Sequence, residues 1–163
     1  MEMPQKSKSL IFVRNLLIVA VCCLVAYYIT QHLRVPLTHS LSKRVFWAIG
    51  YDPNGNVRTG RYIIFDQFVP APHSRVVRFI KRAGCTSGET LKVEKDYYFC
   101  NGEYIGHAKR KSLKGDPLTP FVFNGTVPEG VVFAIGDHPD SYDSRYVGFI
   151  SHHRVQEVAW ALF

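Results

Sequence analysis

Apolar and polar positions divide the chain into two unlike parts. Positions 16–29 read LLIVAVCCLVAYYI, unbroken by charge. Extended back through 10–13, across Arg14 and Asn15, the run reaches about 20 residues, near the length a helix needs to cross a bilayer. Arg14 can snorkel to the headgroups, and Tyr27 and Tyr28 suit the far interface. A cleaved signal peptide is the rival reading of so short an uninterrupted core. Against it, the sites near Ala26 are followed by bulky Tyr27, Tyr28 and Ile29. Val21 ahead of Cys22 is also not the small residue of a lipoprotein signal. The pattern predicts a retained single-pass anchor over residues 15–33. Lys6, Lys8 and Arg14 precede it, so the positive-inside bias puts residues 1–14 in the cytoplasm and residues 34–163 outside.

Beyond the anchor the period changes. QHLRVPLTHSLSKRVFWAIGYDPNGNV holds Pro36 and an Asn54-Gly55 turn signal and reads as loop and short strands. Runs rich in Val, Ile, Phe and Tyr follow at 61–68, 75–84, 90–108, 121–127, 130–137, 146–150 and 155–163, punctuated by NG, PEG and GD. Many short strands without a long amphipathic helix predict a mainly β domain with long connections. The closing VQEVAWALF fits a strand or a helix, and is assigned here to a strand.

Charge changes this picture little. A net charge of +7 and a pI near 9.3 raise nucleic acid as a partner. The basic residues are scattered, however, and the densest later cluster (Lys109, Arg110, Lys111 and Lys114) sits among turn residues. A basic surface facing anionic headgroups is the more economical reading, and no nucleic-acid partner is expected. Cys22 and Cys23 lie in the anchor as small apolar residues. Cys85 and Cys100 lie in the exported part, where a disulfide can persist, although two buried free thiols fit the sequence too. A bridge would close a loop of about 15 residues, worth on the order of 3 kcal/mol. No CxxC occurs, which removes zinc-ribbon and thioredoxin readings.

The polar segment GDHPDSYDSRYVGFI (136–150) raises metal binding first. Asp137, His138, Asp140 and Asp143 offer ligands, yet the EF-hand glycine and closing glutamate are missing. His152 and His153 are adjacent, and neighbours on a strand point to opposite faces. No metal is expected. Nor do the histidines form a recognisable Ser-His-Asp set, and GxSxG is absent. A lysine can replace histidine as base when an apolar setting disfavours its ammonium form. Strand alternation puts Lys81 on the face of Val77 and Phe79, away from Arg78, Ile80 and Arg82. A surface lysine that snorkels would satisfy the same pattern.

Three segments together resemble the type I signal peptidases, which carry a serine–lysine dyad. THSL (38–41) after an anchor is similar to the nucleophile motif. FIKRAGCTSGETL (79–91) is similar to the lysine box, with Gly88-Glu89 where the family has a Gly-Asp turn. GDHPDSYDSRYVGFI is similar to the third box. The small size and the third box look most like the TraF-type peptidases of conjugative transfer. The resemblance implies a coiled antiparallel β-sheet domain carried on one N-terminal transmembrane helix. It also implies Ser40 as nucleophile, Lys81 as general base, and the Ser40 N–H with the Thr38 hydroxyl as oxyanion hole. Ser141 would orient the lysine, Asp143 and Arg145 would support the site, and Ser144 stands one step further out. The family commonly has proline two after the nucleophile, where this chain has Ser42, a rival nucleophile.

The expectation is therefore a serine endopeptidase of a bacterial inner membrane, its catalytic domain periplasmic, needing no cofactor. Its substrate would be an exported preprotein, most naturally a conjugative pilin precursor, either cut or joined end to end. Other conjugative transfer proteins are candidate partners. Ser40 follows Ile29 by about eleven residues, a reach of at most ~35 Å, which keeps the site near the membrane. The alternative is a non-catalytic, membrane-anchored assembly component of a conjugative or type IV secretion channel.

Overall fold

The structure is a computed structural model that describes residues 5–52, 55, 57–69 and 75–163, with side chains from residue 9 onward. Asn54 of the turn signal and the Lys6 and Lys8 side chains lie outside the described residues. The chain divides into two compact units, Met1–Leu33 and Arg34–Phe163.

The first unit is one helix, α1 (Gln5–His32). It starts ten residues before the expected anchor of 15–33 and ends at His32, one residue short of its far bound; no Gly or Pro interrupts the sequence between Pro4 and Pro36. Within Ser9–His32 an 18-residue window reaches a mean hydropathy of 2.4, and its apolar side chains are exposed all round. A helix apolar on every face, about 36 Å long, suits a bilayer.

The second unit is built of antiparallel strands. Seven form one sheet in the order β1-β2-β11-β3-β4-β9-β10. These are β1 (Leu33–Arg34), β2 (Phe46–Gly50), β3 (Tyr62–Val69), β4 (Arg75–Thr86), β9 (Val131–Ile135), β10 (Ile150–Ser151) and β11 (Val155–Ala161). Four more form a sheet in the order β7-β6-β5-β8: β5 (Thr90–Glu94), β6 (Tyr97–Cys100), β7 (Glu103–His107) and β8 (Gly125–Thr126). The mainly β expectation holds. The closing segment is a strand, β11, paired on both sides by β2 and β3.

The run 90–108 breaks into three strands at two turns whose residues take positive φ, Lys95-Asp96 and Asn101-Gly102. Such turns match the twist of the strands they join. Cys85 on β4 and Cys100 on β6 are joined by a disulfide across a Cα–Cα distance of 5.5 Å, which ties the two sheets together. Glu89 sits in the turn ahead of β5, where its carboxylate accepts the Thr86 N–H at 2.7 Å. Three apolar clusters fill the unit. One surrounds Tyr98 and Phe133, one Ile63 and Phe65, and one Phe46 and Ile64.

Two expected strands differ. Of 121–127 only Gly125–Thr126 pairs as a strand. Phe121 and Phe123 still pack on the core, but the Asn124 side chain takes the Val93 N–H at 2.7 Å, where a strand would offer a carbonyl. Of 146–150 only Ile150 joins a strand, because Ser144–Val147 forms a short helix, α2. The Asp143 carboxylate accepts the Arg145 N–H at its start, a cap that competes with strand pairing.

Candidate active site

Lys81 lies on β4 opposite Ile63 of β3 and is 4% exposed. Its ammonium sits 5.4 Å from the centre of the Phe79 ring and donates to Ser141 Oγ at 2.7 Å. Burial lowers its pKa to about 8; Asp143 pulls the value up and Arg145 pushes it down. Ser141 is itself buried, on the loop that follows β9.

The segment that carries Ser40 turns between β1 and β2 and is fastened to that same loop. The Ser40 carbonyl accepts the His138 N–H at 3.1 Å. Asp137 accepts the Ser42 N–H at 3.0 Å and the Ser42 hydroxyl at 2.8 Å, while Arg82, next to Lys81, donates to its other oxygen at 3.3 Å. Burial alone would raise the Asp137 pKa; the Ser42 and Arg82 bonds outweigh it and hold the carboxyl below the ordinary aspartate value. Gly136 makes the close approach possible. A Cβ there would lie 2.2 Å from Ser141 Oγ and 2.7 Å from the Ser40 carbonyl oxygen.

Behind the loop lies a buried ion pair. Arg145 Nε donates to Asp143 Oδ1 at 2.8 Å and Nη2 to Oδ2 at 2.7 Å. The same guanidinium donates to the carbonyls of His107 at 2.8 Å, His138 at 3.1 Å and Ser141 at 3.3 Å. Burial opposes the Arg145 charge, but Asp143 more than compensates, so the Arg145 pKa is raised. Asp143 also accepts the Gly136 N–H at 2.8 Å, so one carboxylate braces both ends of the loop. Ser144 accepts the Ala134 N–H at 2.9 Å and faces the β9 backbone.

Ser40, Thr38, Lys81 and Ser141 line one cleft of about 400 Å³. Thr38 Oγ1 is 3.3 Å from Ser40 Oγ. Among the described residues no hydrogen bond joins Ser40 to Lys81: the ammonium is held by Ser141, and the Ser40 hydroxyl lies beside that of Thr38. Ser42 faces Asp137. The metal-ligand types of the third box separate into different networks. Asp137 goes to Ser42 and Arg82 and Asp143 to Arg145, while Asp140 pairs with Lys109 and donates its N–H to His138 Nδ1 at 3.2 Å. Among the described residues, Cys85, Glu89 and Cys100 do come within ligating distance of one another, but the two sulfurs are bonded together.

Asp137 is the site residue that sequence reasoning missed. Its signal was an acid directly after a strand, in a box shared with Ser141, with an arginine beside the candidate base.

The family model for signal peptidases, peptidase S26, matches residues 8–162. The chain belongs to this family. It is a family of serine peptidases that process precursor proteins at membranes, and α1 has the length and hydropathy of a membrane anchor. A crystal structure of a signal peptidase I from Enterococcus faecalis V583 is similar to this chain at 30% identity. That match covers 62% of this chain and 94% of that one, with a TM-score of 0.39. No significant match was found among curated proteins.

Proposed function

We propose that the chain is a membrane-anchored endopeptidase working through a Ser40–Lys81 dyad on the exported side of a bacterial inner membrane. The observation that carries this reading is a lysine 4% exposed, held by Ser141 in the same cleft as Ser40. With a pKa of about 8, roughly one-tenth of Lys81 is neutral at pH 7, enough to act as base.

In the first step the neutral Lys81 amine takes the Ser40 hydroxyl proton as Oγ attacks the scissile carbonyl. The Ser40 N–H and the Thr38 hydroxyl stabilise the oxyanion. The lysine ammonium then gives that proton to the departing amine, which leaves an ester on Ser40. Water, losing a proton to Lys81, attacks the ester; collapse releases the acid and returns the proton to Ser40 Oγ. Ser141 fixes the amine, and the Asp143–Arg145 pair fixes Ser141 through its carbonyl. Ser42 is engaged with Asp137, which favours Ser40 as nucleophile.

The finer reading follows the TraF-type resemblance of the third box: a conjugative pilin precursor as substrate, with other transfer proteins nearby. Replacing water by the amine of the pilin's own end would close a ring instead of releasing an acid. The test is mass spectrometry of a co-expressed pilin precursor. Processing should vanish with Ser40→Ala and with Lys81→Ala and survive Ser42→Ala. Processing that persists in both dyad variants sinks the reading and leaves a binding platform.

A further inference from the structure

A second hollow of about 320 Å³ opens beside the cleft of Ser40. Leu113, Asp140 and Tyr142 line both, so the two meet along a shared wall. The floor of the second is aromatic: the rings of Tyr142 and Tyr146 stack with centroids 5.7 Å apart and planes 3° from parallel. Its rim carries Lys109, Lys111 and Lys114. Lys109 is neutralised by Asp140. The remaining acid of the rim, Asp116, accepts from the Ser112 hydroxyl at 3.2 Å. Among the described residues neither Lys111 nor Lys114 has a carboxylate partner.

The two lysines are not on a loose tail. Ser112 N–H bonds the Asp116 carbonyl at 2.8 Å, and Leu118 N–H bonds the Arg110 carbonyl at 2.9 Å, closing a tight turn. Two lysines are thus carried on a braced turn that lines the same hollow as Tyr142 and Tyr146, next to the cleft of Ser40. That combination recognises carboxylates that neighbour an aromatic or large aliphatic side chain.

We propose that this hollow is a subsite for an acidic stretch of the substrate, with Lys111 and Lys114 as its specificity-determining residues. The inference rests on the reading above, that a peptide lies across Ser40. A chain leaving that cleft past Leu113 and Tyr142 enters the hollow directly. Its carboxylates meet Lys111 and Lys114, and an adjacent apolar side chain lies on Tyr142 and Tyr146. The substrate is selected there for charge, apart from whatever the cleft selects beside the scissile bond.

The test uses the full chain in detergent with Ser40→Ala, so that binding is read without turnover. The probes are fluorescent peptides with an alanine-rich centre, flanked on both sides by either Glu-Glu-Phe or Gln-Gln-Phe. At low salt the acidic peptide should bind about tenfold more tightly, as two exposed ion pairs allow, and the preference should shrink as salt rises. Adding Lys111→Gln and Lys114→Gln should bring the two peptides to parity, and the two glutamate replacements should invert the order. Both lysines are exposed, and matching denaturation midpoints verify the fold. Equal binding of the two peptides by the parent, or a preference that survives the lysine replacements, overturns the proposal. So does loss of binding to phosphatidylglycerol vesicles with the peptide preference intact, which would make the lysines a lipid-headgroup contact. The two readings fail separately. Processing that survives Ser40→Ala removes the dyad, whereas Ser40-dependent processing without the peptide preference removes only the subsite.

Discussion

Burying the Lys81 amine has consequences for the stability of the whole protein. An amine that ordinarily titrates at 10.5 is brought to about 8, and burial is the main cause. Below pH 8 the folded chain therefore carries a charge it would sooner lose, at a cost on the order of 3 kcal/mol. Between pH 8 and 10.5 the unfolded chain binds the proton and the folded one does not, so stability rises with pH through that window. Lys81→Met removes the charge but leaves Ser141 Oγ without its donor, so we expect a net gain of about 1–2 kcal/mol at pH 6.5. The gain should shrink by pH 9.5, as read from denaturation midpoints at the two pH values; a pH-independent difference would contradict the buried ammonium. Cleavage by the unmodified chain should rise with pH through about 8 as neutral amine accumulates. Gly136 imposes a steric condition of the same kind. Gly136→Ala brings a methyl group to 2.2 Å from Ser141 Oγ and 2.7 Å from the Ser40 carbonyl, so the two segments must part. We expect a loss of about 1–3 kcal/mol and at least a hundredfold loss of kcat. Activity within tenfold of the parent would show that the loop is not held as tightly as these contacts imply.

At the scale of elements, β4 and the loop after β9 bring the site together, and the Asp143–Arg145 pair holds that loop. Removing one member of a buried pair strands the other, so Asp143→Asn should cost about 3–5 kcal/mol in equilibrium unfolding, far more than an exposed pair such as Arg78–Asp66. How much of this was legible depends on reach along the chain. Alternation over Val77, Phe79 and Lys81 correctly put the lysine on the inner face, because side-chain period is a local property. The runs at 61–68 and 75–84 read well for the same reason, whereas 90–108, one run in the sequence, is cut into three strands by its two turns. Residues 144–147 read poorly: their Val and Tyr content is strand-like, and the Asp143 cap that makes them helical is a single carboxylate with several competing partners. The candidate-site segments were found through resemblance of motifs. The bond from Lys81 to Ser141 spans 60 residues and the bonds from Ser42 to Asp137 span 95, distances at which no periodicity speaks. Asp137 therefore went unassigned although its box was recognised.

The whole molecule joins a helix of membrane-span length to a β unit that needs nothing from that helix to fill its core. The three apolar clusters draw only on residues from Leu41 onward among those described, and Arg34 remains to pair with Glu157 through bonds of 2.9 and 2.6 Å. A chain of residues 34–163 should therefore fold, remain in solution and melt within a few degrees of the full protein. On a short soluble peptide its rate should lie within about threefold of the full chain, since Ser40, Lys81 and Ser141 are all retained. On a precursor embedded in liposomes the comparison should differ. Confining enzyme and substrate to one membrane raises their effective concentration, and losing that advantage should slow cleavage by about a hundredfold. Parallel rate measurements on the two substrates check this. If the truncated chain handles both substrates as the full chain does, α1 is dispensable for catalysis; if it fails to fold, the β unit depends on the helix in a way its core does not reveal.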